Sequence, residues 1–232
     1  MSLEPASGVV LRTRLLTDTS LIVHWLTAEY GRLATVAQGA RRPKSPFRGK
    51  LDLGYEAQFS FQRRRRSDLH FLREVVLLET HPALRTRLAN LRQAAYAALL
   101  LETATEPEAA VPELHQLYRE LLSCLSSGPT LPQRLLAFEL RLLAASGLEP
   151  PLTLSHVRPE TQRLAQALNT TPLADLAQLP VDPTATSELD RFLARFLMDH
   201  LGRIPRGRRE ALATSDPPAP PPSPRCGPRP GR

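Results

Sequence analysis

Cysteine is nearly absent from this 232-residue chain: Cys124 and Cys226 are the only two, and neither has a companion at C-x-x-C spacing. That excludes a disulfide framework and a cysteine-based zinc site. No stretch of about 18 apolar residues occurs, and the N-terminus lacks a basic segment followed by an apolar one. The expectation is a soluble, cytoplasmic protein with no membrane partner. Catalytic signatures are missing as well: there is no G-x-S-x-G, no G-x-x-x-x-G-K-[S/T] and no H-E-x-x-H. The six histidines (His24, His70, His81, His115, His156 and His200) are scattered without ligand spacing, which assigns them structural roles. Aromatic residues make up only 5%, too few for extensive stacking on nucleobases. These absences point away from an enzyme and toward a protein that works by binding.

What the chain does have is positive charge, unevenly placed. The formal net charge is +7, with 42% hydrophobic and 23% charged residues, ordinary for a globular protein. Residues 1–80 hold 13 Lys or Arg against 8 Asp or Glu, residues 81–200 hold 10 against 13, and residues 201–232 hold 7 against 2. A basic front, a slightly acidic middle and a basic tail imply different partners for different parts, with a polyanion at the front.

The front reads as strands. Gly8–Leu16, Leu21–Thr27, Gly31–Ala37, Tyr55–Gln62 and Leu69–Leu78 are short runs, apolar or alternating, separated by turns. Tyr55–Gln62 is the clearest, setting Tyr55, Ala57, Phe59 and Phe61 against Glu56, Gln58, Ser60 and Gln62. Five strands in about 70 residues with no βαβ pattern predict a small closed barrel over residues 1–80, an OB-type barrel in preference to an SH3-like one. Trp25 belongs in its core. Between the third and fourth strands lie Arg41, Arg42, Lys44, Arg48 and Lys50 with no acidic residue among them; Gly39, Pro43, Pro46 and Gly49 hold them on a loop. Arg12 and Arg14 share one face of the first strand, and with Arg32 they are expected to line one groove where Phe47 offers a stacking face. Arg63 and Arg64 begin a four-arginine turn and are weaker candidates, since a single charge run is usually a solvated face.

From His81 the period changes to that of helices. Helices are predicted from Pro82 (Leu84, Leu88, Leu91, Ala95, Leu99), from Pro112 to Gly128, from Pro132 to a Gly147 cap, over Glu160–Leu168, over Pro172–Leu179 with Thr171 as its cap, and over Glu188–Leu201. Residues 81–212 thus form an all-helical domain, and the fold class is α+β, multi-domain. Residues 213–232 carry eight prolines and three arginines and are expected to be disordered.

The order of pieces resembles the RecO family of bacterial recombination mediators and DNA repair proteins. The resemblance rests on Gly8–Leu11, Asp18–Val23, Tyr30-Gly31, Val36–Arg42 with Lys44-Ser45, Leu51–Tyr55, Phe138–Leu143 leading to Ser146–Leu148, and Arg191–Leu201. It implies an N-terminal OB-fold and a helical domain, binding of single- and double-stranded DNA, and annealing of complementary strands. It also implies work with RecR to load RecA onto DNA coated by single-strand binding protein, whose acidic C-terminal tail is a partner, all near the bacterial nucleoid. The DNA-contacting role then falls on Arg41, Arg42 and Lys44, with Arg48 and Lys50 as extensions. Many relatives carry a four-cysteine zinc site after the Gly-Leu exit of the central helix. Here residues 147–182 contain no cysteine, so this is a degenerate zinc-site region and no zinc or other cofactor is expected. Two other classes stay open on the residues alone: an RNA-associated OB-fold adaptor and a protein-only interaction module.

Overall fold

The computed structural model describes residues 3–152 and 157–213. His156 and the proline-rich tail beyond Ala213 lie outside the described residues. Five strands, β1 (Leu3–Leu15), β2 (Leu21–Thr27), β3 (Gly31–Ala37), β4 (Glu56–Gln62) and β5 (Leu69–Glu79), close into a barrel in the order β1-β2-β3-β5-β4, with β4 pairing back onto β1. All pairings are antiparallel except β3 with β5, which run parallel through Ala34–Leu69, Thr35–His70 and Val36–Phe71. This is the expected OB-type ring. The first strand starts five residues earlier than its sequence pattern suggests. Its leading half, Leu3–Val9, pairs with β4, and its trailing half, Gly8–Leu15, pairs with β2. A bulge between Val10 and Arg12 bends it between the two partners.

Alternation fills the barrel. Val10, Val23, Trp25, Leu33, Ala57, Phe59, Phe61, Leu72 and Val75 point inward and form one apolar cluster. Trp25 stacks on Phe59 with ring centroids 4.2 Å apart and donates Nε1–H to Thr35 Oγ1 at 2.8 Å, so its polar edge is satisfied.

The helical part comprises a 3-10 turn (Pro82–Thr86), α1 (Leu88–Ala104), α2 (Pro112–Ser127), α3 (Pro132–Ala145), α4 (Pro159–Thr170), a second 3-10 turn (Asp175–Gln178), α5 (Pro183–Leu201) and α6 (Arg208–Leu212). Proline in the first turn starts α2, α3, α4 and α5, where its missing N–H costs nothing. At the end of α3, Gly147 has a positive φ of 72° and Leu148 N–H returns to the Leu143 carbonyl at 2.8 Å, closing a Schellman motif.

Three expectations need correction. The helix from Pro82 begins only at Leu88, and its buried face is not Leu88, Leu91, Ala95 and Leu99. Ala94, Ala97, Ala98, Leu100 and Leu101 are buried instead, together with Asn90, Gln93 and Tyr96. Apolar residues occur nearly all around α1 because it runs through the middle of the bundle, and such a helix has no single stripe to read. Residues 172–179 form a short 3-10 turn rather than an α-helix, and Thr171 closes the end of α4 instead of capping a new helix. The side-chain cap in this region is Asp182, whose carboxylate accepts from Thr184 N and Ala185 N at the start of α5. Leu164, Leu168, Leu173 and Leu176 do pack together in the helical core, as expected.

Barrel and bundle share a core. Val9, Leu11 and Leu26 leave the outer surface of the barrel fully buried among Leu84, Leu100, Leu121 and other helical residues. Burial of each is worth about 1.5–3 kcal/mol. The α1–α2 connection returns to the barrel: Glu108 N–H bonds the Arg32 carbonyl at 3.0 Å. Beside it, Gly31 (φ +63°) lies so close to this connection that a Cβ there would sit 1.7 Å from the Ala109 carbonyl oxygen. Only glycine meets both demands.

Candidate nucleic-acid interface

The loop after β3 leaves the mouth of the barrel and is built as a chain of tight turns. Ala40 N–H bonds Ala37 O, Arg42 bonds Gly39 O, Ser45 bonds Arg42 O, Arg48 bonds Ser45 O and Lys50 bonds Phe47 O, at 3.0–3.3 Å. Gly39, at φ +67°, makes the first reversal and donates its N–H to Ser20 Oγ at 3.2 Å. Arg41 ties the loop to the β1–β2 turn twice, through its backbone N–H to Thr19 O and its Nη1 to Asp18 O, both at 3.0 Å. A loop held this way presents its charges in fixed positions.

Arg41, Arg42, Lys44 and Arg48 are exposed, and none has an ion-pair partner among the described residues. Lys50 is half-buried, its Nζ donating to Val75 O at 3.0 Å on β5. Phe47 is not a stacking face: it is 7% exposed, turned into the barrel core as the plug that lets the loop sit over the mouth. Beneath the loop lies a pocket of about 310 Å³, walled by Leu21, Ala40, Phe47 and Leu51 and rimmed by Arg41, Arg42 and Arg48.

The register places a second group on the outer face of the barrel. Arg14, Ile22, Val36 and Phe71 are successive cross-strand partners over β1, β2, β3 and β5. Arg14 is exposed, and the guanidinium groups of Arg64 and Arg73 lie 5.3 and 5.6 Å from the Phe71 ring centre. Arg73 and Phe71 were not singled out by the sequence. Their signal is the i, i+2 spacing on β5, which sets both on the face opposite buried Leu72.

The single groove expected from Arg12, Arg14 and Arg32 does not form. Arg12 turns to the bundle and pairs with Glu102 of α1 at 2.7 Å, where His24 also approaches at 3.3 Å. Arg32 donates to the Thr105 carbonyl at 2.6 Å. Arg63 pairs with Glu4 at 3.1 Å and with Glu108, which His70 also contacts at 2.9 Å. A further seam cluster joins buried Glu56 of β4 to His81 at 3.1 Å and Arg119 of α2 at 2.7 Å. Burial alone would raise the carboxyls of Glu56 and Glu108. Their hydrogen bonds, from His81 and Arg119 and from Arg63 and His70, outweigh it and hold both below the usual range. Burial, aided by the Arg12 charge, lowers the His24 pKa. Of the ten cationic candidates, Arg12, Arg32 and Arg63 are therefore committed to the seam and Lys50 is tied to β5, while Arg41, Arg42, Lys44, Arg48, Arg14 and Arg64 remain available at the surface.

The sequence matches the family description "Recombination protein O N terminal" over residues 1–81 and "Recombination protein O C terminal" over residues 85–157 and 153–210. The chain belongs to the RecO family. The DNA repair protein RecO of Anaeromyxobacter sp. (strain K) is 32% identical over 237 residues, spanning 88% of this chain and 93% of that protein. The RecO protein of Syntrophus aciditrophicus is 30% identical over 145 residues, 62% of this chain and 56% of its own length. This RecO-family DNA repair protein carries Gly39–Arg42 and Lys44-Ser45 on the exposed cationic turns described above. Cys124, the one cysteine among the described residues, is buried on α2, and no group of three or more His, Cys, Asp or Glu among those residues is placed to hold a metal ion. Among the described residues no helix is long and apolar enough to cross a membrane.

Proposed function

We infer that this RecO-family chain is a non-enzymatic mediator that binds single- and double-stranded DNA and anneals complementary strands. The observation that carries the reading is the set of four exposed cations, without ion-pair partners among the described residues, on a loop pinned to the mouth of an OB-type barrel. Cations held without carboxylate partners are free to neutralise phosphates, releasing counterions. Bridging two strands lowers their mutual repulsion and lets complementary bases meet. The row from Arg14 to Phe71, flanked by Arg64 and Arg73, extends the path along the face that OB-folds commonly offer to oligonucleotides.

The family resemblance extends this to partners: RecR, the acidic tail of single-strand binding protein and, through them, RecA, in the bacterial cytoplasm and without zinc. The slightly acidic helical half supplies a surface of opposite sign to the loop for protein contacts. With four loop contacts, the log–log salt slope for single strands is expected near −3, taking roughly −0.7 per phosphate. Replacing Arg41, Arg42 and Lys44 together by alanine should move it to about −1 and weaken binding for all sequences alike. A slope that stays near −3 removes the loop from the interface. Higher affinity for RNA than for DNA of equal length and sequence would favour the RNA-adaptor reading instead.

A further inference from the structure

We propose that the pocket under the basic loop receives one unpaired nucleobase of a single strand, while the arginines on its rim hold the phosphates on either side. This deepens the DNA-binding reading and rests on it. The pocket has the two chemistries a nucleotide needs, arranged one above the other. Its walls are apolar and continuous with the barrel core, since Leu21, Ala40, Phe47 and Leu51 all pack on the cluster that contains Trp25 and Phe59. Its rim carries three guanidinium groups that form no ion pair among the described residues. Two of the three are held in place by backbone carbonyls, Arg41 through Asp18 O at 3.0 Å and Arg48 through Pro43 O at 3.3 Å. Anchors of this sort fix a guanidinium without neutralising it, so little rotamer freedom is lost on binding.

A phosphate ion alone would use the rim and leave the apolar walls wet. A purely apolar ligand would leave three cations with nothing to pair. A planar base joined to a charged backbone satisfies both, and the volume of about 310 Å³ lies at the small end of ligand pockets. A base inside a duplex cannot enter without leaving its stack, which costs a few kcal/mol. The pocket therefore selects for single strands or for the unpaired ends of duplexes, whereas the exposed arginines Arg14, Arg64 and Arg73 on the outside of the barrel accept either form.

The test compares two oligonucleotides of about a dozen units, one of deoxythymidine and one with every base replaced by an abasic tetrahydrofuran, which carries the same phosphates. Binding of the full-length chain is followed by fluorescence anisotropy over a salt series. The expected result is that the abasic strand binds about fivefold or more weakly, the effect of losing the base that the apolar walls bury, with an unchanged salt slope. Leu51→Trp fills the pocket and keeps every cation; it should bring the deoxythymidine strand down to the abasic level and leave the abasic strand unaffected. Ala40→Leu fills the same pocket from another wall and replaces Leu51→Trp if that variant does not fold. Equal affinity for the two strands, or base dependence that survives filling of the pocket, overturns this inference and leaves the DNA-binding reading standing. Absence of salt-sensitive binding to both strands overturns the two together.

Discussion

The basic loop and the seam between barrel and bundle draw on the same residue type and use it in opposite ways. At the seam, Arg12, Arg63 and Arg119 each meet a carboxylate within about 3 Å, and Arg32 meets a backbone carbonyl. On the loop, Arg41 and Arg48 are positioned by carbonyl oxygens, and neither they nor Arg42 form an ion pair among the described residues. The difference teaches that a count of cations measures neither binding nor stability. What matters is whether a carboxylate or an outside phosphate is left to complete each one.

The contrast is broken most severely where pairing is most complete. Within the bundle, Arg208 of α6 is bonded at 2.8 Å through both Nε and Nη2 to Glu139, which is fully buried and also accepts from Tyr96 Oη at 2.7 Å. Arg208→Ala leaves that carboxylate buried without its cation, and chemical denaturation should show a loss of about 3–5 kcal/mol. DNA affinity per folded molecule should not change. A loss below about 1 kcal/mol would mean that water reaches Glu139 in the folded protein.

The seam itself should respond to acid. Because Glu56 and Glu108 are held below the ordinary carboxylate range when folded, the unfolded chain binds more protons than the folded one in that window. Their contribution is complete above a pH of about 4.3 and is lost as the pH falls through the lowered folded values. Urea midpoints measured from pH 6 downward should therefore decline, and Glu56→Gln should make the decline shallower while costing about 1–3 kcal/mol at neutral pH. An identical pH profile in the variant would show that this cluster does not couple to folding.

The smallest effect is expected for Arg63, whose partners are partly open to water. Arg63→Ala should cost about 1 kcal/mol or less in denaturation and leave the salt slope of DNA binding where it was. A slope that falls as it does for the loop variants would place Arg63 on the DNA and erase the distinction between the two sets.

Much of the barrel was legible in the sequence, because alternation in β4 and the turn residues around β2 and β3 are local signals. The cationic turns were legible too, since no carboxylate lies between Arg41 and Lys50. The commitment of Arg12 and Arg32 was not, because their partners Glu102 and Thr105 sit about 70 to 90 residues away, at the C-terminal end of a helix whose orientation no local pattern fixes. Phe47 misled for a related reason: a lone aromatic in a charged loop looks exposed until the open end of a barrel requires a plug. Glu56 belongs to the polar side of the β4 alternation yet is buried, since that side faces Arg119 and His81 rather than water.

Gly31 carries the final consequence. The space that its missing side chain leaves is taken by the backbone at Ala109, and the chain crosses there from bundle back to barrel. With Val9, Leu11 and Leu26 buried in the helical core, neither half can be pulled away without exposing the other's interior. Two regions that look like beads on a string in the sequence thus share one buried core, so that unfolding either exposes apolar surface of the other.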